Sequence, residues 1–124
     1  MQRAEVESIC ANLPGAWPDS PWENDLVYKI GEAEKAKIFC FLGGGTTDQQ
    51  PTSISIKVEP ELTPVLHQQY QAVSSPAYLS KQHWIAIDLG GDMPPDEIEE
   101  LIEDSHRLVA KGLPKRLQRE LGYG

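Results

Sequence analysis

The sequence predicts an α+β domain: an antiparallel sheet, a meander plus a later strand, with N- and C-terminal helices packed on one face. Three observations predict it. Segments 25–30, 37–42, 53–58 and 84–89 carry strand patterning. The first three follow one another through short links, which favours a meander over crossovers. A strongly periodic amphipathic stretch at 94–112 follows the last of them, so strand runs and helices are segregated and do not strictly alternate. At 124 residues the chain reads as a single domain, 1–124, long enough to bury a core without staples.

The elements follow in chain order. Residues 2–12 read as a short helix with Val6, Ile9, Cys10 and Leu13 on one side. Residues 13–22 hold three prolines and a glycine, which cannot continue a helix or a ladder, so a loop is expected, with Trp17 and Trp22 pinning it to the core. Asp25–Ile30 is a strand and Gly31 its turn. Lys37–Leu42 is apolar on both faces and belongs in the middle of the sheet. Gly43–Pro51 is a connection. In Ser53–Val58, Ile54, Ile56 and Val58 point inward while Ser53, Ser55 and Lys57 point outward. Pro60 suits the first turn of a helix running to about Tyr70. An irregular stretch around Ser74–Ala77 precedes the strand Trp84–Leu89. In the long helix, Ile98, Leu101, Ile102, Ser105, Leu108, Val109 and Gly112 repeat at i, i+3, i+4, i+7. Asp96 and Glu97 suit its positive end, Arg107 and Lys111 its negative end. Leu113-Pro114 interrupts it before a short basic segment, 115–121.

The balance of 11 Lys and Arg against 19 Asp and Glu gives a net charge of −8. A polynucleotide binder must neutralise phosphates, so this excess of acid opposes such a role unless the bases gather locally. Charge is segregated along the chain, acidic in the middle of the long helix and basic after residue 105. No apolar run approaches the ~20 residues a bilayer needs, and residues 1–10 lack the apolar core of a secretion signal; a cytoplasmic protein without a membrane contact is expected. Cys10 and Cys40 sit among apolar residues and read as reduced, buried side chains.

No catalytic signature emerges, and no enzyme, cofactor or metal site is expected. Asp104-Ser105-His106 has the composition of a triad, but successive helical residues point about 100° apart and cannot form the required line. Gly43–Asp48 lacks the ending of a phosphate loop and sits between strands, so it reads as a hairpin tip. His67, His83 and His106 are not spaced as metal ligands and suit surface or capping roles. The carboxylates from Asp92 to Asp104 form a ridge that reads as a solvated outer face, with Glu103 able to pair with Arg107. Lys29 and Lys57, emerging from strand surfaces among Tyr28 and serines, could hold a sugar-phosphate backbone.

Six segments occur in order: Leu13-Pro-Gly-Ala16, Val27-Tyr-Lys-Ile-Gly31, Lys37-Ile-Phe39, Ile56-Lys-Val-Glu-Pro60, Lys81-Gln-His-Trp84 and Glu100–Val109. Together they resemble the MmcQ/YjbR family of small bacterial proteins over nearly the whole chain. The resemblance implies a CyaY-like, double-wing fold and a non-enzymatic DNA-binding role in which two hairpin wings flank a groove. It implies DNA contacts at Lys29, Lys37, Lys57, Lys81, His83 and Trp84. This chain departs from that electrostatics at the Gly43–Pro51 wing tip, which holds no Lys or Arg; there Thr46, Thr47, Gln49 and Gln50 would offer hydrogen bonds without counterion release. The alternative expectation is a frataxin-like metal-responsive or protein-interaction module using Glu97, Glu100, Glu103 and Asp104. A monomer is favoured.

Overall fold

A computed structural model describes residues 1–21, 26–43, 53–77 and 79–123. The elements are α1 (Arg3–Ala11), β1 (Ala16–Asp19), β2 (Leu26–Ile30), a 3-10 turn (Ala33–Lys35), β3 (Lys37–Gly43), β4 (Ser53–Lys57), α2 (Leu62–Gln69), β5 (Val73–Ser74), β6 (Trp84–Asp88), α3 (Pro95–Ala110) and α4 (Lys115–Glu120). The expected α+β architecture is present. The six strands form one sheet in the order β1-β2-β3-β4-β6-β5, and all its pairings are antiparallel.

Alternation in β4 and β6 sets the two faces. Ile54, Ile56, Ile85 and Ile87 are fully buried, whereas the intervening Ser55, Lys57, Trp84 and Ala86 are half-buried. The inward row joins Ile98, Leu101, Ile102 and Val109 of α3, Val6 and Cys10 of α1, Leu66 of α2 and Leu117 of α4 in one core. Each large aliphatic side chain buried there contributes on the order of 2 kcal/mol. All four helices thus contribute side chains to the core on one face of the sheet, while Leu62 and Val65 of α2 stay exposed. The other face carries no helix among the described residues.

Two strands lie where the pattern predicts irregular chain. β1 includes Pro18, because it is an edge strand: Pro18 is exposed and opposes Tyr28 without needing an N–H on its outer side. Trp17 therefore stands in a strand outside the core cluster, donating from Nε1 to the Gly31 carbonyl at 2.9 Å. Trp22 lies outside the described residues. β5 has two residues and caps the opposite edge, held by Asp92, whose carboxylate accepts from the backbone N–H groups of Gln71 and Ala72 at 3.0 and 2.8 Å. Those two bonds hold the Asp92 carboxyl below its ordinary range.

β3 is third in the sheet, as its two apolar faces require. Its register with β2 slips after Tyr28↔Cys40 to Lys29↔Ile38, leaving Phe39 as an extra residue. Ser105, fully buried on α3, repairs the interruption. Its hydroxyl donates to the Phe39 carbonyl at 2.6 Å and accepts from the Lys57 N–H at 2.8 Å, joining α3 to β3 and β4 together. The packing role predicted for Ser105 is thus combined with a polar one. Cys10 and Cys40 are both buried and free. The Cys10 thiol and burial push Cys40 well above the ordinary thiol value, so it remains protonated.

Candidate functional site

Strand directions place the ends of the elements at two poles. Ile30, Lys37, Lys57 and Trp84 share one end of the sheet, and Gly43, Ser53 and Asp88 share the other. Helix α3 begins beside the second pole, where Gly91 donates to the Asp88 carbonyl, and ends at the first, where Lys37 Nζ donates to the Gly112 carbonyl at 3.1 Å. Helix α4 is tied to that same first pole by Gln118, which donates to the carbonyls of Lys111 and Leu113, and by Arg116, which approaches Glu32 at 3.9 Å.

This arrangement gathers charge that the linear sequence disperses. Of the 11 Lys and Arg, Lys29, Lys35, Lys37, Lys57, Lys81, Lys111, Lys115, Arg116 and Arg119 lie at or beside the element ends that meet at the first pole. Asp19, which pairs with Lys29, and Glu32, Glu34, Glu59, Glu61 and Glu120 accompany them there. Asp88, Asp92 and the early carboxylates of α3 occupy the second pole. The net charge of −8 therefore coexists with a locally basic end.

On the helix-free face, one row runs across that end. Trp17 opposes Lys29, Lys29 opposes Ile38, and across β3 Lys57 opposes Trp84. The next row holds Asp19, Val27, Phe41, Ser55 and Ala86. The Trp84 and Phe41 rings meet edge to face at 5.6 Å and 72°. Lys29 Nζ lies 2.7 Å from the Asp19 carboxylate and 5.5 Å from the Trp17 ring centroid. The hydrogen bond from Lys29 is the main cause that holds the Asp19 carboxyl below its ordinary range. Neither Lys57 nor Lys81 forms an ion pair among the described residues.

The turn into β6 brings two further predicted residues to the same place. The Ser80 carbonyl accepts from the N–H groups of His83 and Trp84, and the His83 carbonyl accepts from Val58 at 2.8 Å. Thr63 on α2 donates to the Gln82 carbonyl at 2.7 Å and fixes the turn. Lys81 and His83 are exposed on it. Lys57, Lys81, His83 and Trp84 thus share one end of β4 and β6, and Lys29 lies two strands away, roughly 10 Å, on the same face.

Lys37 departs from the expected set. It opposes Ile30, an inward residue, and its ammonium is engaged by the carbonyl end of α3, a favourable site for a cation. Tyr28 is likewise turned toward the core and does not interleave with the lysines. Trp17, expected to pin a loop to the core, and Phe41 join the face, and neither is among the expected contacts. The doubly apolar pattern of β3 hinted at Phe41, whereas the surrounding prolines concealed the strand that carries Trp17. The predicted wing-tip residues Thr46, Thr47, Gln49 and Gln50, and the glycine loop from 44 onward, lie outside the described residues.

The other constellations resolve differently. Asp104 pairs with Arg107 at 3.0 Å, taking the place expected for Glu103. Among the described residues, no three His, Cys, Asp or Glu side chains gather to hold a metal ion. His106 is fully buried, contrary to a surface role. Its Nε2 lies 2.7 Å from the Pro14 carbonyl and must donate to it, so the neutral ring accepts at Nδ1 from the Tyr123 hydroxyl at 2.6 Å. Burial holds its pKa below the ordinary histidine value. Asp104, Ser105 and His106 therefore engage three separate sets of partners. No helix among the described residues is long and apolar enough to cross a membrane.

Comparison with known proteins returns one consistent group. A family model described as YjbR matches residues 11–108. The uncharacterized protein YjbR of Escherichia coli strain K12 is 32% identical over 123 residues, 98% of this chain and 98% of the relative. The uncharacterized protein YbdF of Escherichia coli O157:H7 is 32% identical over 108 residues, covering 87% of this chain and 81% of the relative. Among solved structures, a Deinococcus radiodurans protein is similar with a TM-score of 0.86 and 31% identity, covering 98% of this chain and 88% of that one. A Pseudomonas syringae protein gives a TM-score of 0.73 and 28% identity, with 87% and 98% covered.

Proposed function

The chain belongs to the YjbR family, and from that premise we propose that it is a non-enzymatic nucleic-acid-binding module. The observation that carries this reading is the gathering of cations at one pole of an otherwise acidic molecule, beside a helix-free sheet face bearing Lys29, Lys57, Trp17 and Trp84. A phosphate backbone crossing this end meets Lys57, Lys81 and His83, with Lys29 further along. Lys37 acts on the opposite side as a cap on α3 and contributes only its long-range field. Affinity is modest at physiological salt, because the carboxylates that accompany the cations offset much of the local potential.

The test is a fluorescence-anisotropy titration of labelled DNA oligonucleotides, single-stranded and duplex, at several salt concentrations. The expected result is binding that weakens as salt rises and is reduced several-fold by Lys57→Ala and by Lys81→Ala. Absence of binding to both forms at low salt overturns the reading, as does affinity that ignores salt and both substitutions.

A further inference from the structure

We infer that the nucleic acid accepted by the helix-free face is an unpaired strand, held by stacking of its bases on Trp84, Phe41 and Trp17; this rests on the nucleic-acid reading above and narrows it. The rings carry the argument. Trp84 and Phe41 are each half-buried on a face that no described helix covers, and their edge-to-face packing at 5.6 Å fixes both orientations. Trp17 is fixed as well, through its Nε1 bond to Gly31. Rings held in place lose little freedom when a base lands on them.

A duplex offers this surface no free base faces to stack on. Its bases are already stacked, and their edges are read by a helix or ribbon that enters a groove. Here the side chains that the described helices bury join the core on the far side of the sheet. Charge argues the same way. Duplex DNA carries one phosphate per ~1.7 Å of axis, twice the density along one of its strands. A molecule with a net charge of −8 repels the denser polyanion more strongly. Stacking does not depend on charge, and every base has a face to offer.

The dimensions fit a short stretch of chain. Trp17 and Trp84 stand on β1 and β6, four strand spacings apart in the sheet order. At about 4.8 Å per spacing they are separated by roughly 19 Å, with Phe41 on the strand midway. That span suits on the order of four nucleotides, the lower end of site sizes for such faces. Lys57, beside Trp84 in register, is placed to meet a phosphate between stacked bases.

The experiment titrates the full chain with labelled oligothymidylate and with a duplex of equal length, in low and moderate salt, following anisotropy and tryptophan emission. Trp84→Leu and Phe41→Leu are measured beside it, each with its melting temperature to establish that it folds. The inference expects the single strand to bind more tightly than the duplex, with emission quenched and a site of about four nucleotides. It expects each leucine variant to lose about fivefold or more in single-strand affinity while duplex binding is unchanged. Equal or tighter duplex binding overturns the inference and leaves the nucleic-acid reading intact. Failure to bind either form overturns both. Folded leucine variants that keep full single-strand affinity overturn the stacking role. A concentration-dependent dimer that Trp84→Leu abolishes, in a protein that ignores oligothymidylate, assigns the face to a second copy and overturns the inference.

Discussion

Ser105 on α3 donates its hydroxyl to the carbonyl of Phe39 on β3 at 2.6 Å, where the register of the sheet slips by one residue. The extra residue leaves backbone groups that the neighbouring strand cannot satisfy, and one buried hydroxyl supplies the Phe39 carbonyl with a donor and the Lys57 N–H with an acceptor.

Ser105→Ala therefore strips partners from two backbone groups at once. Leaving such groups unsatisfied costs about 1–3 kcal/mol. Urea unfolding is expected to show a loss in that range, whereas Ser53→Ala on the exposed end of β4 is expected to change stability by less than about 0.5 kcal/mol. Equal effects at the two sites would show that the hydroxyl does not bridge the slip.

His106 makes stability depend on pH. Burial lowers its pKa in the folded chain relative to the unfolded one, so the unfolded state binds protons first as pH falls. Its contribution is complete above about pH 6.5, the unfolded value, and is lost progressively as pH falls toward the folded value. The denaturation midpoint should decline below about pH 6.5. In His106→Gln that part of the decline should vanish, although the variant is less stable throughout. A midpoint profile that is the same in both proteins contradicts this.

Tyr123→Phe removes the donor at Nδ1 of His106 and is expected to cost about 1 kcal/mol by thermal or urea unfolding. It also frees the chain end that His106 holds, so amide exchange from 118 to 123 should accelerate. Unchanged exchange there would assign the hydroxyl no anchoring role.

Asp19→Asn releases Lys29 from its ion pair. Oligonucleotide affinity is expected to rise several-fold and the dependence of log affinity on log salt to steepen by about one ion, while Lys57→Ala shallows it by about one. Opposite signs from neighbouring positions on one face would be hard to produce by unfolding. A weaker Asp19→Asn complex would place Lys29 outside the contact.

Much of this fold can be read from periodicity. The alternation of Ile54, Ile56 and Val58 and the helical stripe from Ile98 to Val109 leave only one way to build a core, and β3 announces its central place by being apolar on both sides. The shortest strands escape. β1 contains Pro18 and β5 has two residues, and both are strands because of the neighbours they pair with rather than any pattern of their own. The candidate site was legible in part for the same reason. Lys57 and Trp84 flank alternating strands, so their outward direction follows from their neighbours. Lys37 begins its strand beyond the slip at Phe39, and that one-residue shift, invisible in composition, turns it toward α3. His106 looked peripheral because its partners, Pro14 and Tyr123, come from distant parts of the chain.

Helix α3 runs from the acidic pole to the basic one, so the segregation of charge lies along the molecule's length. A net charge sets the force on a protein in a uniform field; such a separation sets a torque. Near any dense array of anions the molecule turns its basic end inward at distances comparable with the ~8 Å screening length, before contact is made. For the polynucleotide partner proposed above, encounters would be pre-aligned even while the approach as a whole is opposed, and productive collisions would depend on rotation more than on attraction.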